Sequence, residues 1–93
     1  MIIITDKPKE VSDVILAGIN RGVTVLKGYG YYSKLEKEVL YIVVNSYQIM
    51  TAQRQILQID SNAFISIIDT YQVIGQGFTF FNSDNKNKDF FLR

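Results

Sequence analysis

The sequence predicts an α+β domain, and three observations lead to that fold class. Four short apolar, β-branched runs and two stretches with helical spacing follow one another in the order βαββαβ. A right-handed crossover in each βαβ half favours the strand order 4-1-3-2 in one antiparallel sheet. A length of 93 residues with 47% apolar residues suits a single domain with one core. Together these features describe the ferredoxin-like arrangement, a four-stranded antiparallel sheet with two helices on one face.

The first strand and helix are predicted within the first 22 residues. Met1-Ile2-Ile3-Ile4 is too short for a signal peptide and lacks a basic leader, so we interpret it as a short buried strand. Asp6 can cap the helix that follows, and Pro8 is tolerated in its first turn. The helix is expected to end around Asn20–Gly22, with Gly22 as a left-handed cap. Its apolar positions recur at helical spacing: Val11, Val14, Ile15 and Ile19.

Two strands joined by a glycine-rich connection are predicted in the middle of the chain. Val23–Leu26 is rich in β-branched residues and is expected to form the second strand. The connection Gly28–Lys37 is expected to be a loop with a charged end. Val39–Val44 has no polar alternation, which is typical of a central strand covered on both faces.

The last helix and the last strand are predicted from capping residues and apolar runs as well. Asn45 and Gln48 have the spacing of a capping box, and the helix after them ends near Ile59-Asp60. Ala63–Ile68 is the fourth predicted strand, which Tyr71–Ile74 extends or follows. We expect the domain to span residues 1–81 and the polar stretch 82–93 to be a mobile tail. The apolar positions of the second helix are Ile49, Ala52, Gln53, Ile56 and Leu57, with Gln53 as the polar exception.

The composition excludes several kinds of chemistry. The sequence has no Cys, so it offers no disulfide, thiolate nucleophile or thiolate zinc site. It has no His, so it offers no Ser-His-Asp triad and no imidazole metal ligand. A net charge of +1 argues against a nucleic-acid module, which usually has a strongly basic face. No run of about 18 apolar residues predicts a transmembrane helix.

Several separated motifs resemble a known family. These motifs are Arg21-Gly22-Val23-Thr24, Gly28-x-Gly30-x-Tyr32-Ser33, Val39–Val44, Ile59–Phe64 and Val73–Phe78. In this order they resemble the C-terminal domain of unknown function of the YitT family of bacterial membrane proteins, over about residues 2–78. The family commonly has Gly-Gly-Tyr-Thr-Gly in the loop after the second strand, whereas this chain has bulkier residues at Tyr31–Lys34.

The resemblance implies a small soluble domain that follows membrane-spanning helices on the cytoplasmic face of the cell membrane. It also implies a fold similar to the PII-like ferredoxin-fold proteins, which assemble as oligomers and bind small ligands between subunits. We therefore expect a homo-oligomer, either a trimer or a dimer, attached to a membrane-spanning part and not bound to nucleic acid.

Three segments are candidate ligand contacts. Glycines let main-chain N–H groups approach a ligand, hydroxyls and lysines can hold an anion, and tyrosine rings can stack on a planar group. Each segment has a structural alternative: a hairpin turn at the first glycine loop, a bulge or turn at the last glycines, and a helix-end contact for the arginine. The candidate ligand-binding residues are Arg21, Thr24, Gly28, Gly30, Tyr32, Ser33, Gly75, Gly77 and Phe78.

No acid–base pair or metal loop stands out. Asp60-Ser61-Asn62-Ala63 lacks the pattern of a calcium loop, and we interpret it as a helix end followed by a turn. The sequence accordingly predicts no catalytic residue, no metal and no cofactor.

Two functions remain open from the sequence. The first is a regulatory domain that senses a small ligand, anionic or nucleotide-like, at clefts between subunits. The second is a purely structural oligomerisation domain without a ligand. Both rest on strands that are apolar on both sides, because a sheet with helices on one face would leave such strands partly uncovered. An enzyme is the least supported class.

Overall fold

The computed structural model describes residues 1–70 and 72–75, and its elements have the predicted order. The strands form one antiparallel sheet in the order β2-β3-β1-β4, which is the predicted order read from the other edge. The prediction of a ferredoxin-like α+β fold is therefore confirmed. The elements are β1 (Ile2–Ile4), α1 (Pro8–Ile19), β2 (Thr24–Tyr29), β3 (Glu36–Tyr41), α2 (Ile49–Ile59) and β4 (Phe64–Ser66).

The core lies between one face of the sheet and the two helices. Ile3 of β1 is opposite Leu40 of β3 and Ile65 of β4, and side chains that are directly opposite in a sheet share a face. Ile3 and Leu40 are fully buried, so this is the face that the helices cover. The helices contribute residues at the predicted helical spacing. The buried apolar residues are Met1, Ile3, Val11, Ile15, Ile19, Leu40, Ile42, Ala52 and Ile56.

The strand boundaries differ from those predicted. β3 begins at Glu36 and ends at Tyr41, whereas the apolar run predicted Val39–Val44. The shift follows from the strands beside β3. Its charged residues 36–38 pair with β2, and no strand among the described residues pairs with the chain beyond residue 42. In the same way, β4 covers only the middle of the predicted Ala63–Ile68, because β1 offers three residues to pair with.

The ends of α1 also differ in detail from those predicted. α1 begins at Pro8, as expected, but the residue before the helix is Lys7, and Asp6 makes no capping hydrogen bond. Its left-handed cap is Asn20, with φ of 56°, and not Gly22. Asparagine tolerates this conformation better than other residues with a side chain, so the helix stops earlier than predicted.

Gln48 joins the end of α1 to the start of α2. Its Oε1 accepts hydrogen bonds from the main-chain N–H of Asn45 (2.9 Å) and from Nε of Arg21 (3.2 Å). Its Nε2 donates to the carbonyl oxygen of Ile19 at 3.3 Å. The predicted capping box of Asn45 and Gln48 is present at a single 3₁₀ turn, Ser46–Gln48, that leads into α2. One amide side chain therefore ties together both helices and the arginine.

Asp60 makes the corresponding junction at the other end of the helix pair. Its Oδ2 accepts from the hydroxyl of Thr5 at 2.6 Å and from the main-chain N–H of Asp6 at 3.3 Å. Its Oδ1 accepts from the main-chain N–H of Asn62 at 3.0 Å, which forms the predicted turn after α2. These bonds, led by that of Thr5, lower the pKa of the Asp60 carboxyl below its ordinary value because they favour the charged form.

We expect Asp60→Asn to make the stability of the protein less dependent on acid pH. A lowered pKa in the folded state means that the Asp60 carboxylate stabilises the fold above the unfolded carboxyl pKa of about 3.9. That stabilisation disappears as the pH falls through the folded pKa. The melting temperatures of the wild type and of Asp60→Asn should therefore differ by a constant amount above about pH 5 and converge as the pH falls below about 3.9.

The exposed Asp69 supplies the matched control for this experiment. Asp69→Asn should keep the acid dependence of the wild type. A difference in melting temperature between the wild type and Asp60→Asn that stays constant as the pH falls below about 3.9 would contradict the assignment.

Candidate functional site

The glycine-rich connection is a tight hairpin that uses its own polar groups. The N–H of Gly30 donates to the carbonyl of Leu35 at 3.1 Å, and the N–H of Lys34 donates to the carbonyl of Gly30 at 2.8 Å. The hydroxyl of Ser33 accepts from the N–H of Leu35 at 3.2 Å. Lys34 takes the left-handed conformation, with φ of 62°. These hydrogen bonds are those of a hairpin turn, which is the structural alternative to a ligand-binding loop.

The two glycines of this connection have different surroundings. Gly28 lies within β2, opposite Lys37 of β3, and not in the loop as predicted. A Cβ added at Gly28 would meet nothing within 4 Å, whereas one added at Gly30 would lie 2.7 Å from the Ser33 Oγ. Of these two glycines, only Gly30 has a neighbour that an added Cβ would displace, the hydroxyl of Ser33.

The aromatic rings at the tip of the hairpin are exposed. Tyr31 is 84% exposed and Tyr32 is 98% exposed. The ammonium of Lys34 lies 4.1 Å from the ring centroid of Tyr31, which is a cation–π distance. The tip of the hairpin therefore presents aromatic surface and a cation to the solvent.

The remaining predicted ligand residues do not gather around this tip. Thr24 lies at the other end of β2 from Gly30, about 20 Å away at about 3.4 Å per residue. Arg21 is bonded to Gln48, and burial lowers the pKa of its guanidinium. Gly75 is exposed with φ of 154°. Gly77 and Phe78 lie outside the described residues. Ligand binding by these residues stays a prediction.

An apolar face of the sheet is left without a helix. We call it the open face: its first row is Thr24, Tyr41, Ile2 and Ser66, and its second row is Leu26, Val39, Ile4 and Phe64. Leu26 is 50% exposed, Tyr41 is 44% exposed and Phe64 is 60% exposed. The sequence predicted a β3 covered on both faces, but within the described residues only one face is covered. The prediction of an uncovered apolar patch is supported by the same observation.

A cleft of about 370 Å³ lies at one end of the sheet. Its walls are the residues that follow β3 and β4, and its base includes Met1 and Ile2. None of the seven predicted ligand residues that the structure describes lines this cleft. Sequence reasoning missed it because the cleft depends on where the strands stop pairing.

The described part of the chain has neither a cluster of metal ligands nor a membrane-spanning helix. Residues 1–70 and 72–75 contain no group of three or more acidic side chains that could hold a metal ion. Neither α1 nor α2 has the length and the apolar content that crossing a lipid bilayer requires.

Comparisons with known proteins agree with this architecture. A crystal structure of an uncharacterized protein of DUF2179 from Eubacterium ventriosum matches with a TM-score of 0.60 and 28% identity, over 68% of this chain and 86% of that one. The UPF0750 membrane protein YpjC of Bacillus subtilis is 40% identical over 91% of this chain and 29% of its own length. The UPF0750 membrane protein YitT of the same organism is 28% identical over 89% of this chain and 28% of its own length.

The sheet order and the two-helix layer define a ferredoxin-like α+β domain. The family model described as an uncharacterized protein conserved in bacteria (DUF2179) matches residues 21–75, so the chain belongs to the DUF2179 family. The resemblance to YitT-type membrane proteins is thereby confirmed. The chain spans less than a third of the length of the two UPF0750 relatives named above.

We expect Gly30→Ala to destabilise the protein by about 0.5–1.5 kcal/mol, because Ser33 must rotate and lose its hydrogen bond to Leu35. Gly28→Ala is the matched control, since it has open space and an alanine costs less entropy in a strand. Urea unfolding of the two variants measures the difference. Equal losses for both variants would show that the turn does not need its glycine.

Proposed function

We propose that this chain is a non-enzymatic assembly domain of a bacterial membrane protein, which associates with further copies of itself through the open face. In this proposal it lies on the cytoplasmic face of the cell membrane, beside the membrane-spanning part of the full-length protein. The membrane attachment is supported by the relatives, which are membrane proteins about three and a half times as long as the matched segment. The observation that carries the proposal is the apolar open face.

The physical argument for self-association begins with the exposed apolar area. Leu26, Val39, Ile4 and Phe64 form one continuous row across all four strands. Contiguous apolar surface of this kind marks an interaction site more often than scattered single residues do. Burying one leucine side chain contributes about 1.5–3 kcal/mol, so covering this row is favourable.

A second copy is the occupant that the charges favour. Neither of the two rows carries a charged side chain, and the next pair on the same face of β2 and β3, Gly28 and Lys37, places one lysine at the margin. Two such faces can stack on each other at about 10 Å without burying an unpaired charge. The contact would be of the self-complementary type found in symmetric oligomers.

Leu26→Lys should weaken self-association by about tenfold to a hundredfold, because the two half-exposed Leu26 side chains of a symmetric contact together lose about 1.5–3 kcal/mol of apolar burial. Leu16→Lys is the matched control, since Leu16 is 41% exposed on α1, away from the open face. Sedimentation equilibrium measures the mass against the 10.7 kDa monomer. A wild type that stays monomeric at about 100 μM would contradict the proposal, as would equal effects of the two variants.

Ligand sensing is the second candidate function, and the exposed hairpin rings favour it. Tyr31 and Tyr32 could stack on a planar ligand while Lys34 offsets a negative charge. An anionic, nucleotide-like ligand would then lie between the hairpin and a second copy. Binding would regulate the membrane part only by favouring one arrangement of the copies over another.

A panel of nucleotides, tested one at a time by thermal unfolding, checks this second function. A nucleotide at about 100 times its Kd should raise the melting temperature by about 10 °C or more. Tyr32→Ala should abolish the shift, and Tyr47→Ala, an exposed tyrosine outside the hairpin, should keep it. If no nucleotide raises the melting temperature, the nucleotide candidate fails and assembly without such a ligand remains.

A further inference from the structure

The strand β2 lies at an edge of the sheet and is exposed on both faces. The described strands have the order β2-β3-β1-β4, so β2 has a neighbour on one side only. Its six residues make it twice as long as β4, the strand at the other edge. Val25 lies on the face that the helices cover, opposite the fully buried Leu40, yet Val25 is 45% exposed. Leu26 is half-exposed on the open face. The helix layer therefore stops short of β2.

The register fixes which main-chain groups of β2 bond to β3. The N–H of Ile42 donates to the carbonyl of Met1 at 3.0 Å, so Ile42 points toward β1 and its neighbour Tyr41 points toward β2. The residue of β2 opposite Tyr41 is therefore in a hydrogen-bonded pair, and bonded and non-bonded pairs alternate along an antiparallel ladder. The residues of β2 that bond to β3 are thus Thr24, Leu26 and Gly28.

The remaining residues of β2 direct their main-chain groups away from the sheet. The N–H of Gly30 donates to the carbonyl of Leu35 at 3.1 Å, which continues the same alternation past the end of β2. The N–H and C=O groups that point outward belong to Val25, Lys27 and Tyr29. Among the described residues, no other main-chain group bonds to these three. Such a row of free donors and acceptors is a template for a further strand.

We propose that two copies of this chain pair through β2, antiparallel and edge to edge, with Leu26 directly opposite Leu26 of the partner subunit. The proposal rests on the self-association argued above and adds a second contact to it. Residues that are opposite in a sheet share a face, so the two open faces would lie side by side on one sheet of eight strands, four from each copy. The pair would then present a doubled apolar surface for stacking.

The position of the two-fold axis follows from the sequence of β2. An axis that matches the outward groups and overlaps at least three residues passes at Val25, Leu26, Lys27 or Gly28. An axis at Lys27 would place two ammonium groups directly opposite each other, which is destabilising. An axis at Gly28 would leave Val25 and Leu26 beyond the end of the partner's β2. An axis at Val25 would pair only residues 24–26, whereas an axis at Leu26 pairs residues 24–28.

Lys27 fits this contact although it is charged. It would lie opposite Val25 of the partner subunit, on the side of the helices. The aliphatic stem of the lysine can cover that half-exposed valine while its ammonium group stays in water. Within each chain Glu38 is opposite Lys27, so a carboxylate is close to the charge. The contact therefore covers apolar surface without placing like charges directly opposite.

Introduced cysteines test this register, because the sequence has no Cys of its own. In the proposed pairing, the Cα of Leu26 lies about 4.5 Å from that of Leu26 of the partner subunit, and Val25 lies about 5.5 Å from the partner's Lys27. Both distances permit a disulfide. Val25 and the partner's Val25 are diagonal neighbours at more than about 7 Å, as are the two Lys27 residues, which is too far for a disulfide.

In oxidised glutathione, Leu26→Cys should form a disulfide-linked dimer of twice the 10.7 kDa monomer mass. An equal mixture of Val25→Cys and Lys27→Cys should cross-link at least about tenfold faster than either variant alone, because only the mixture brings two thiols directly opposite each other. Non-reducing electrophoresis measures the rates. Leu16→Cys, exposed on α1, is the matched control for random collisions.

The mixture separates edge pairing from stacking through the open face. Val25 and Lys27 lie on the face that the helices cover, so stacking of two open faces cannot bring their thiols together. Equal rates for the mixture and for the single variants would overturn the edge pairing, as would a Leu26→Cys chain that cross-links no faster than Leu16→Cys. A dimeric wild type with either result would leave the proposed function standing. A wild type that stays monomeric at about 100 μM would overturn both.

Discussion

The fold depends on the pairing of one very short central strand. β1 has three residues, Ile2–Ile4, yet it pairs with β3 on one side and with β4 on the other. It thereby holds the two βαβ halves together in one sheet. Ile3 is fully buried under the helices, while Ile2 and Ile4 lie on the open face. A run of three isoleucines suits this position because both faces of the strand meet apolar neighbours.

Two polar junctions fix the helices over this short strand. Gln48 ties the end of α1 to the start of α2, and Asp60 ties the start of α1 to the end of α2. Each junction joins parts of the chain that are far apart in sequence and satisfies main-chain groups at a helix end, which would otherwise lack partners. The helix layer is therefore held at both ends by hydrogen bonds and in the middle by apolar packing.

The sequence predicted the features that local periodicity controls. The order of elements, the strand order and most buried helix positions could be predicted, because apolar spacing and the handedness of crossovers decide them. The ends of the strands could not be predicted, because they depend on the length of the neighbouring strand. The charged residues 36–38 belong to β3 because β2 pairs with them. The hydrogen bond between Thr5 and Asp60 could not be predicted either, because the two residues are 55 positions apart in the sequence.

In the candidate site, too, the sequence predicted some features and could not predict others. Glycine spacing predicted an unusual loop correctly, but it could not tell a turn residue such as Gly30 from a strand residue such as Gly28, because the difference lies in what a Cβ would meet. The open face followed from the lack of polar alternation in the strands. The cleft had no local signal, because it is bounded by two segments that come together only through β1.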